Sequence, residues 1–171
     1  FVFPHAPVRP VTINGGMRMR AWYDILQFGP GPEDDAGIRA SRSLVEELIG
    51  KEKGKTIVLA GFSQGGAIAL HTALREPRRL GGVLALSTNL PLAATLAKER
   101  SDANAGVPIF MAHGNADPVL PLALGERSRR ALESLGYAVD WHVYPMPHAV
   151  CPAEIVAIDR WLAQLAAGAP A

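Results

Sequence analysis

The chain has 171 residues, 49% of them hydrophobic, and carries 17 basic and 16 acidic side chains. This length predicts a single domain, residues 1–171, with a sizeable core. The formal net charge of +1 excludes the strong positive field that attracts nucleic acid or an anionic membrane, so a small molecule is the expected partner.

The apolar pattern predicts strands that alternate with helices after a long amino-terminal loop. Residues 5–35, which are rich in proline and glycine, are predicted to form that ordered loop. Predicted strands lie at 57–60, 82–87, 108–112 and 139–144, and predicted helices at 36–53, 67–75, 122–135 and 153–165. Strands that are apolar throughout and separated by helices predict an α/β fold, with a mainly parallel sheet covered on both faces.

A candidate nucleophile lies in the segment 61–65, Gly-Phe-Ser-Gln-Gly, between a predicted strand and a predicted helix. A serine hydroxyl is a weak nucleophile and must be exposed beside a base. A tight strand-to-helix turn achieves this and needs small residues on both sides, which Gly61 and Gly65 supply. The turn also directs the backbone N–H of Gln64 toward a developing oxyanion. A phosphate-binding turn is the alternative, but the lysine that such a loop requires is missing.

The base and the acid are expected to follow the serine in the order acid, then histidine, each after a later strand. Among five histidines, His148 lies in the loop after the strand 139–144 and is the predicted base. Asp117 lies just beyond the strand 108–112 and is the predicted acid, which orients the histidine and stabilises the imidazolium. His113 is predicted to brace the turn that carries Asp117. His5, His71 and His142 are predicted to be packing or surface residues.

These motifs resemble the phospholipase/carboxylesterase family of α/β-hydrolases, which comprises bacterial carboxylesterases and acyl-protein thioesterases. The resemblance is carried by residues 7–16, 22–24, 61–66, 86–88, 113–119 and 144–148, in the family's order. It implies an α/β-hydrolase fold with Ser63, Asp117 and His148 as the catalytic residues. It also implies Gln64 as an oxyanion donor, and Trp22, Leu90 and Pro91 as positions near the acyl pocket.

One departure from the family concerns the amino terminus. Family members begin with a strand and a His-Gly-Leu-Gly-like loop that supplies a second oxyanion N–H, and Phe1 falls after that point. The expectation is therefore an amino-terminally truncated hydrolase with one oxyanion donor, slower acylation and reduced stability. A homodimer that covers the bare surface is expected.

The sequence predicts a serine carboxylesterase that hydrolyses short to medium acyl esters through an acyl-enzyme. Two alternatives stay open, namely an acyl-protein thioesterase or lysophospholipase, and a weakly active or non-catalytic binding fragment. The scattered histidines predict no metal, and no cofactor is expected. The single cysteine, Cys151, and the lack of an apolar run of ~20 residues predict a cytoplasmic protein without a stable membrane anchor.

Overall fold

The computed structural model describes residues 1–27, 29 and 31–168, and these form two separate sheets with five α-helices. A two-stranded antiparallel sheet consists of β1 (Val8–Val11) and β2 (Met17–Arg20). A four-stranded parallel sheet has the order β3-β4-β5-β6. Its strands are β3 (Val58–Phe62), β4 (Gly82–Leu86), β5 (Ile109–Gly114) and β6 (Val139–Tyr144).

The helices are α1 (Asp35–Lys51), α2 (Gln64–Ala73), α3 (Ala93–Glu99), α4 (Leu122–Ser134) and α5 (Pro152–Ala166). Short 3-10 turns cover Thr12–Asn14 and Asp102–Asn104. In the part of the chain that the structure describes, we find no helix with the length and apolar character needed to traverse a bilayer.

Alternating side chains of the central strands form two different cores on the two faces of the parallel sheet. Val83 and Met111 pack in one cluster with Leu70 and Leu132 of helices α2 and α4. The intervening residues of the same strands point the other way. Leu84, Leu86, Phe110 and Ala112 pack with Trp161 of α5. Because side chains of a strand alternate between faces, both faces of β4 and β5 are apolar and both are covered by helices.

The structure corrects the prediction for residues 5–35, because residues 8–11 and 17–20 pair as an antiparallel hairpin. Pro10 lies within β1, and proline counts against a strand unless the strand is at an edge. A two-stranded ribbon has only edge strands, so the missing N–H is tolerated here. Gly15 and Gly16, both at positive φ, close the turn between the strands. The predicted loop also included residues 28 and 30, which lie outside the described residues.

The parallel sheet and helix α2 approach each other so closely at Gly61 that no side chain fits there. A Cβ added to Gly61 would lie 2.1 Å from the carbonyl carbon of Gly65 and 2.4 Å from the backbone nitrogen of Gly66. Both are backbone atoms, so neither can move aside cheaply.

We therefore expect Gly61→Ala to lower the free energy of unfolding by about 3 kcal/mol or more, since overpacking against backbone forces the strand and the helix apart. Gly50→Ala is the matched control, because Gly50 lies in α1 with open space around its Cβ position. That variant should gain about 0.5–1 kcal/mol. Urea denaturation of both variants measures the difference, and equal stability would contradict the close approach at Gly61.

Candidate active site

Ser63 lies in a strained turn between the end of β3 and the start of α2. Its backbone has φ 53 and ψ −123, in a region that residues with a side chain rarely adopt. Such a conformation costs about 1–3 kcal/mol and persists only where surrounding contacts hold it. Here the Ser63 N–H donates to Leu86 O at 2.9 Å, and Ser63 O accepts from the Thr88 hydroxyl at 2.7 Å. The turn is thereby fixed to the end of β4.

Asp117 follows β5 and is surrounded by hydrogen-bond donors. Its Oδ1 accepts from the backbone N–H groups of Val119 at 2.8 Å and Leu120 at 2.9 Å. Its Oδ2 accepts from Nδ1 of His148 at 2.7 Å, and the carboxylate is fully buried. Burial by itself would raise the pKa of Asp117, but the hydrogen bonds from His148, Leu120 and Val119 outweigh it and hold the pKa below its ordinary value of 3.8.

His148 lies in the loop between β6 and α5, and that loop is held against the end of β5. The N–H of Asn115 donates to Tyr144 O at 2.9 Å, and the N–H of Ala116 donates to Met146 O at 3.2 Å. Gly114 permits this approach, because a Cβ there would lie 2.2 Å from Met146 O. The two loops that carry Asp117 and His148 are therefore joined through their backbones.

The His148 ring lies against the residue that precedes the serine. Its centroid is 4.7 Å from that of the Phe62 ring, and the His148 side chain is 16% exposed. With Nδ1 engaged by Asp117, Nε2 is the ring nitrogen left for exchange with a reacting group. Of the predicted residues, the structure thus brings Asp117 and His148 into direct contact and places their pair beside the turn of Ser63.

His113 occupies a fully buried position behind the Asp117 loop. Its Nε2 lies 2.8 Å from Leu120 O, which is the geometry of a hydrogen bond donated by the imidazole, and 3.6 Å from Asp117 Oδ2. Leu120 in turn donates its N–H to Asp117. These contacts suit a residue that holds the loop in shape, which is the part that the sequence assigned to it.

A cavity of about 300 Å³ opens beside the serine, with Ser63, Gln64 and Leu90 in its lining. The loop after β2 forms one wall, and residues of α3 and α4 form another. Trp22 and Pro91 adjoin lining residues in sequence but are not themselves part of the lining. Trp22 packs instead against the buried cluster of Ile38, Ile68 and Leu92. Leu90 is thus the one of the three predicted pocket residues that faces the cavity.

Gln64 connects the serine turn to the cavity wall in a way that sequence reasoning missed. Its side-chain Oε1 accepts from Trp22 N at 3.0 Å, and its Nε2 donates to Tyr23 O at 2.9 Å. Its own backbone N–H is at the first position of α2, where no residue of the helix precedes it to accept. A single sequence carries no signal for the side-chain contacts, because they join positions about 40 residues apart.

Two further lining residues, Glu33 and Arg127, escaped the sequence analysis. Both oxygens of Glu33 accept from Leu92 N, at 3.1 and 3.2 Å. Burial raises the pKa of Glu33, although that hydrogen bond and the positive charge of Arg127 both oppose the shift. Within the described ranges, no group of three or more His, Cys, Asp or Glu side chains could hold a metal ion.

The lowered pKa of Asp117 makes one contribution to stability depend on pH. A carboxyl group whose pKa is lower in the folded state stabilises the protein above its ordinary pKa, and this contribution is lost as the pH falls through the folded value. The stability advantage of wild type over Asp117→Asn should therefore shrink on acidification below the ordinary value of 3.8. Urea denaturation of both proteins between about pH 5 and pH 2 tests this. An advantage that grows on acidification would contradict it.

Comparisons with known proteins identify the family to which the chain belongs. The model of the phospholipase/carboxylesterase family matches residues 1–166. Acyl-protein thioesterase 1 of Mycosarcoma maydis is 42% identical over an alignment that covers 91% of this chain and 73% of that protein. The protein of the same name from Neurospora crassa is 40% identical over 96% of this chain and 73% of its own length.

Solved structures give the same result for the fold. The structure of Arabidopsis thaliana SOBER1 has a TM-score of 0.92 at 28% identity and covers 96% of this chain and 82% of its own. That of Zea mays acyl-protein thioesterase 2 has a TM-score of 0.88 at 32% identity, over 95% of this chain and 79% of its own. With the family match, these structures confirm the predicted α/β-hydrolase fold class.

Proposed function

The chain belongs to the phospholipase/carboxylesterase family and is a hydrolase that acts on esters, and from this premise we propose that it works as a serine esterase with Ser63, His148 and Asp117 as its catalytic residues. The observation that carries the proposal is the 2.7 Å contact between His148 Nδ1 and the buried Asp117 carboxylate. This pair lies beside the strained turn that presents Ser63 to the cavity.

In the proposed reaction, Ser63 Oγ attacks the acyl carbon while His148 Nε2 accepts the hydroxyl proton. The charge on the carbonyl oxygen is stabilised by the backbone N–H of Gln64, which is at the amino end of α2. His148 then gives its proton to the leaving alcohol, and an acyl-enzyme remains on Ser63. Water, activated by the same histidine, releases the acid and restores the serine.

Asp117 holds the histidine in the required state. As a carboxylate that accepts from His148 Nδ1, it fixes the tautomer in which Nε2 is free to take the serine proton. Its lowered pKa keeps it ionised, so it stabilises the imidazolium that forms during the reaction.

The cavity supports a short or medium acyl ester as the substrate. A volume of about 300 Å³ is at the lower end of the roughly 300–1,000 Å³ that is typical of small-molecule sites. Its lining includes apolar residues such as Leu90, Ala94 and Leu124, against which an acyl chain can pack.

Ser63→Ala and His148→Ala should each remove nearly all hydrolysis of a nitrophenyl butyrate while the fold stays intact. Members of a catalytic unit act together, so the double variant should be little slower than either single variant. Initial rates with the purified variants, alongside circular dichroism, provide the measurement. Turnover close to wild type in Ser63→Ala would overturn the proposal.

A matched pair of aspartate variants completes this test. Asp117→Asn should lower kcat by orders of magnitude with little change in KM, because it sets the wrong tautomer of His148. Asp140→Asn is the control, since Asp140 is exposed at the start of β6 and contacts His142 instead. If Asp140→Asn proves the more damaging change, the acid has been misassigned.

Hydrolysis of acyl thioesters is a second candidate, favoured by the names of the relatives at 40–42% identity. The same nucleophile, base and oxyanion donor would serve, with a thiolate as the leaving group. We expect Ser63-dependent cleavage of both a butyryl ester and the matched butyryl thioester. The ratio of their kcat/KM values distinguishes the two, and a ratio strongly in favour of the thioester would make thioesters the preferred substrates.

Assembly and location also belong to the proposal. A homodimer is supported by the exposed apolar side chains of Phe1, Phe3, Met17 and Met19 near the amino terminus. Sedimentation over a range of concentrations tests it, and a single species of monomer mass speaks against it. A cytoplasmic location is supported by the free thiol of Cys151, which suits a reducing compartment.

A further inference from the structure

The cavity beside Ser63 contains acidic groups that already have hydrogen-bond donors of their own. Asp24 accepts from the N–H and the hydroxyl of Thr12, at 2.6 and 2.5 Å. Asp34 accepts from the N–H groups of Asp24 and Gly37, at 2.8 and 2.9 Å. Glu33 accepts from Leu92 N with both oxygens. None of these carboxylates therefore needs a partner from the substrate.

Arg127, the positively charged residue of the described lining, lacks such hydrogen-bond partners. It makes no hydrogen bond, and no ion pair within 4.0 Å, with any residue of the described part of the chain. The sequence explains why. On a helix, partners come from three or four positions away, and for Arg127 these are Ala123, Leu124, Arg130 and Ala131.

The other two arginines of α4 do have acidic neighbours on the helix. Arg130 lies 3.6 Å from Glu126, and Arg129 lies 3.8 Å from Glu133. Neither lines the cavity. Arg127 is therefore the arginine of α4 that lines the cavity and has no ion pair within the described residues.

A second donor lies close to Arg127. Leu90 N donates to Ser128 Oγ at 2.8 Å, and Asn89 and Arg127 directly precede these two residues in the sequence. Both line the cavity. Within the described residues, the side-chain amide of Asn89 has no hydrogen-bond partner. Two side chains with unused donors thus line the same cavity as Ser63.

We infer that Arg127 and Asn89 bind an anionic group of the substrate, a carboxylate or a phosphate, while Ser63 attacks the ester. The inference rests on the proposed function, since it assigns the reacting end of the substrate to Ser63. A guanidinium forms strong charge-assisted hydrogen bonds to an oxyanion. Within the described residues no carboxylate lies within 4.0 Å of Arg127, although its charge acts on Glu33 in the same lining. The preferred substrates are therefore esters that carry an anionic group away from the scissile bond.

Three pairs of esters distinguish where that charge lies and what it is. The first pair is the nitrophenyl monoester of adipic acid and its neutral methyl ester, with the carboxylate on the acyl side. The second is the butyryl ester of meta-hydroxybenzoate and that of its methyl ester. The third is the butyryl ester of meta-hydroxyphenyl phosphate and its neutral dimethyl ester. For each pair, the measured quantity is the ratio of kcat/KM for the anionic over the neutral member.

In at least one pair, we expect Arg127→Gln to lower this ratio about three- to tenfold, as for loss of a charge-assisted hydrogen bond from an exposed arginine. Arg127→Lys should keep part of the wild-type preference for the anionic ester. Asn89→Asp should also lower the ratio below that of wild type, because it adds a negative charge. Arg130→Gln is the matched control on the same helix and should leave the ratio unchanged. Intrinsic reactivity cancels, because each ratio is compared between variants. The wild-type ratio should also fall with added salt, which a purely structural role would not produce.

The outcomes separate this inference from the proposed function. If the neutral esters are cleaved through Ser63 but no pair shows a ratio that depends on Arg127, the inference is wrong and the esterase proposal stands. If Ser63→Ala leaves hydrolysis of the neutral esters intact, the proposed function itself is wrong. A ratio lowered equally by Arg127→Gln and Arg130→Gln also overturns the inference, since it reflects the overall field of α4.

Discussion

The candidate site depends on the backbone of Ser63, which is held in an unfavourable conformation by the packing of β3 against α2. The strain is sustained because the turn is bonded to Leu86 and Thr88 at the end of the neighbouring strand. Gly61 makes this possible, since any side chain there would meet the first turn of α2. Relaxing the turn would break contacts on both sides at once, so the rest of the domain keeps the serine where the cavity opens.

Gln64 extends this constraint from the turn to the cavity. Its backbone N–H points out of the start of α2, while its side-chain amide bonds to the backbone of Trp22 and Tyr23. Ser41 of α1 also donates its hydroxyl to Trp22 O. The loop that walls the cavity is thus tied both to the residue beside the nucleophile and to a separate helix. A movement of this loop would therefore displace Gln64, the proposed oxyanion donor.

The sequence predicts the positions of Ser63, Asp117 and His148 because parallel strands end at one edge of a sheet, where the loops that follow them meet. It fails for the hairpin of β1 and β2, because Pro10 argues against a strand and no long-range signal marks the pairing. Helix α3 was missed for a related reason. It has only seven residues, and Leu92 at its amino end has a positive φ and no polar cap. The role that we propose for Arg127 could not be predicted either, since helical periodicity makes it look like an ordinary solvated residue.

The hydrogen bonds of Asp117 explain why proton transfer would fall to the histidine and not to the aspartate. Two backbone N–H groups occupy Oδ1 and the imidazole occupies Oδ2, so protonation of the carboxylate would sacrifice one of three favourable contacts in a buried setting. The lowered pKa expresses that penalty. His148, by contrast, has Nδ1 bonded to Asp117, while its Nε2 has no hydrogen-bond partner among the described residues. The fold thereby separates a fixed negative charge from a group free to exchange protons, a division that general-base catalysis by a histidine requires.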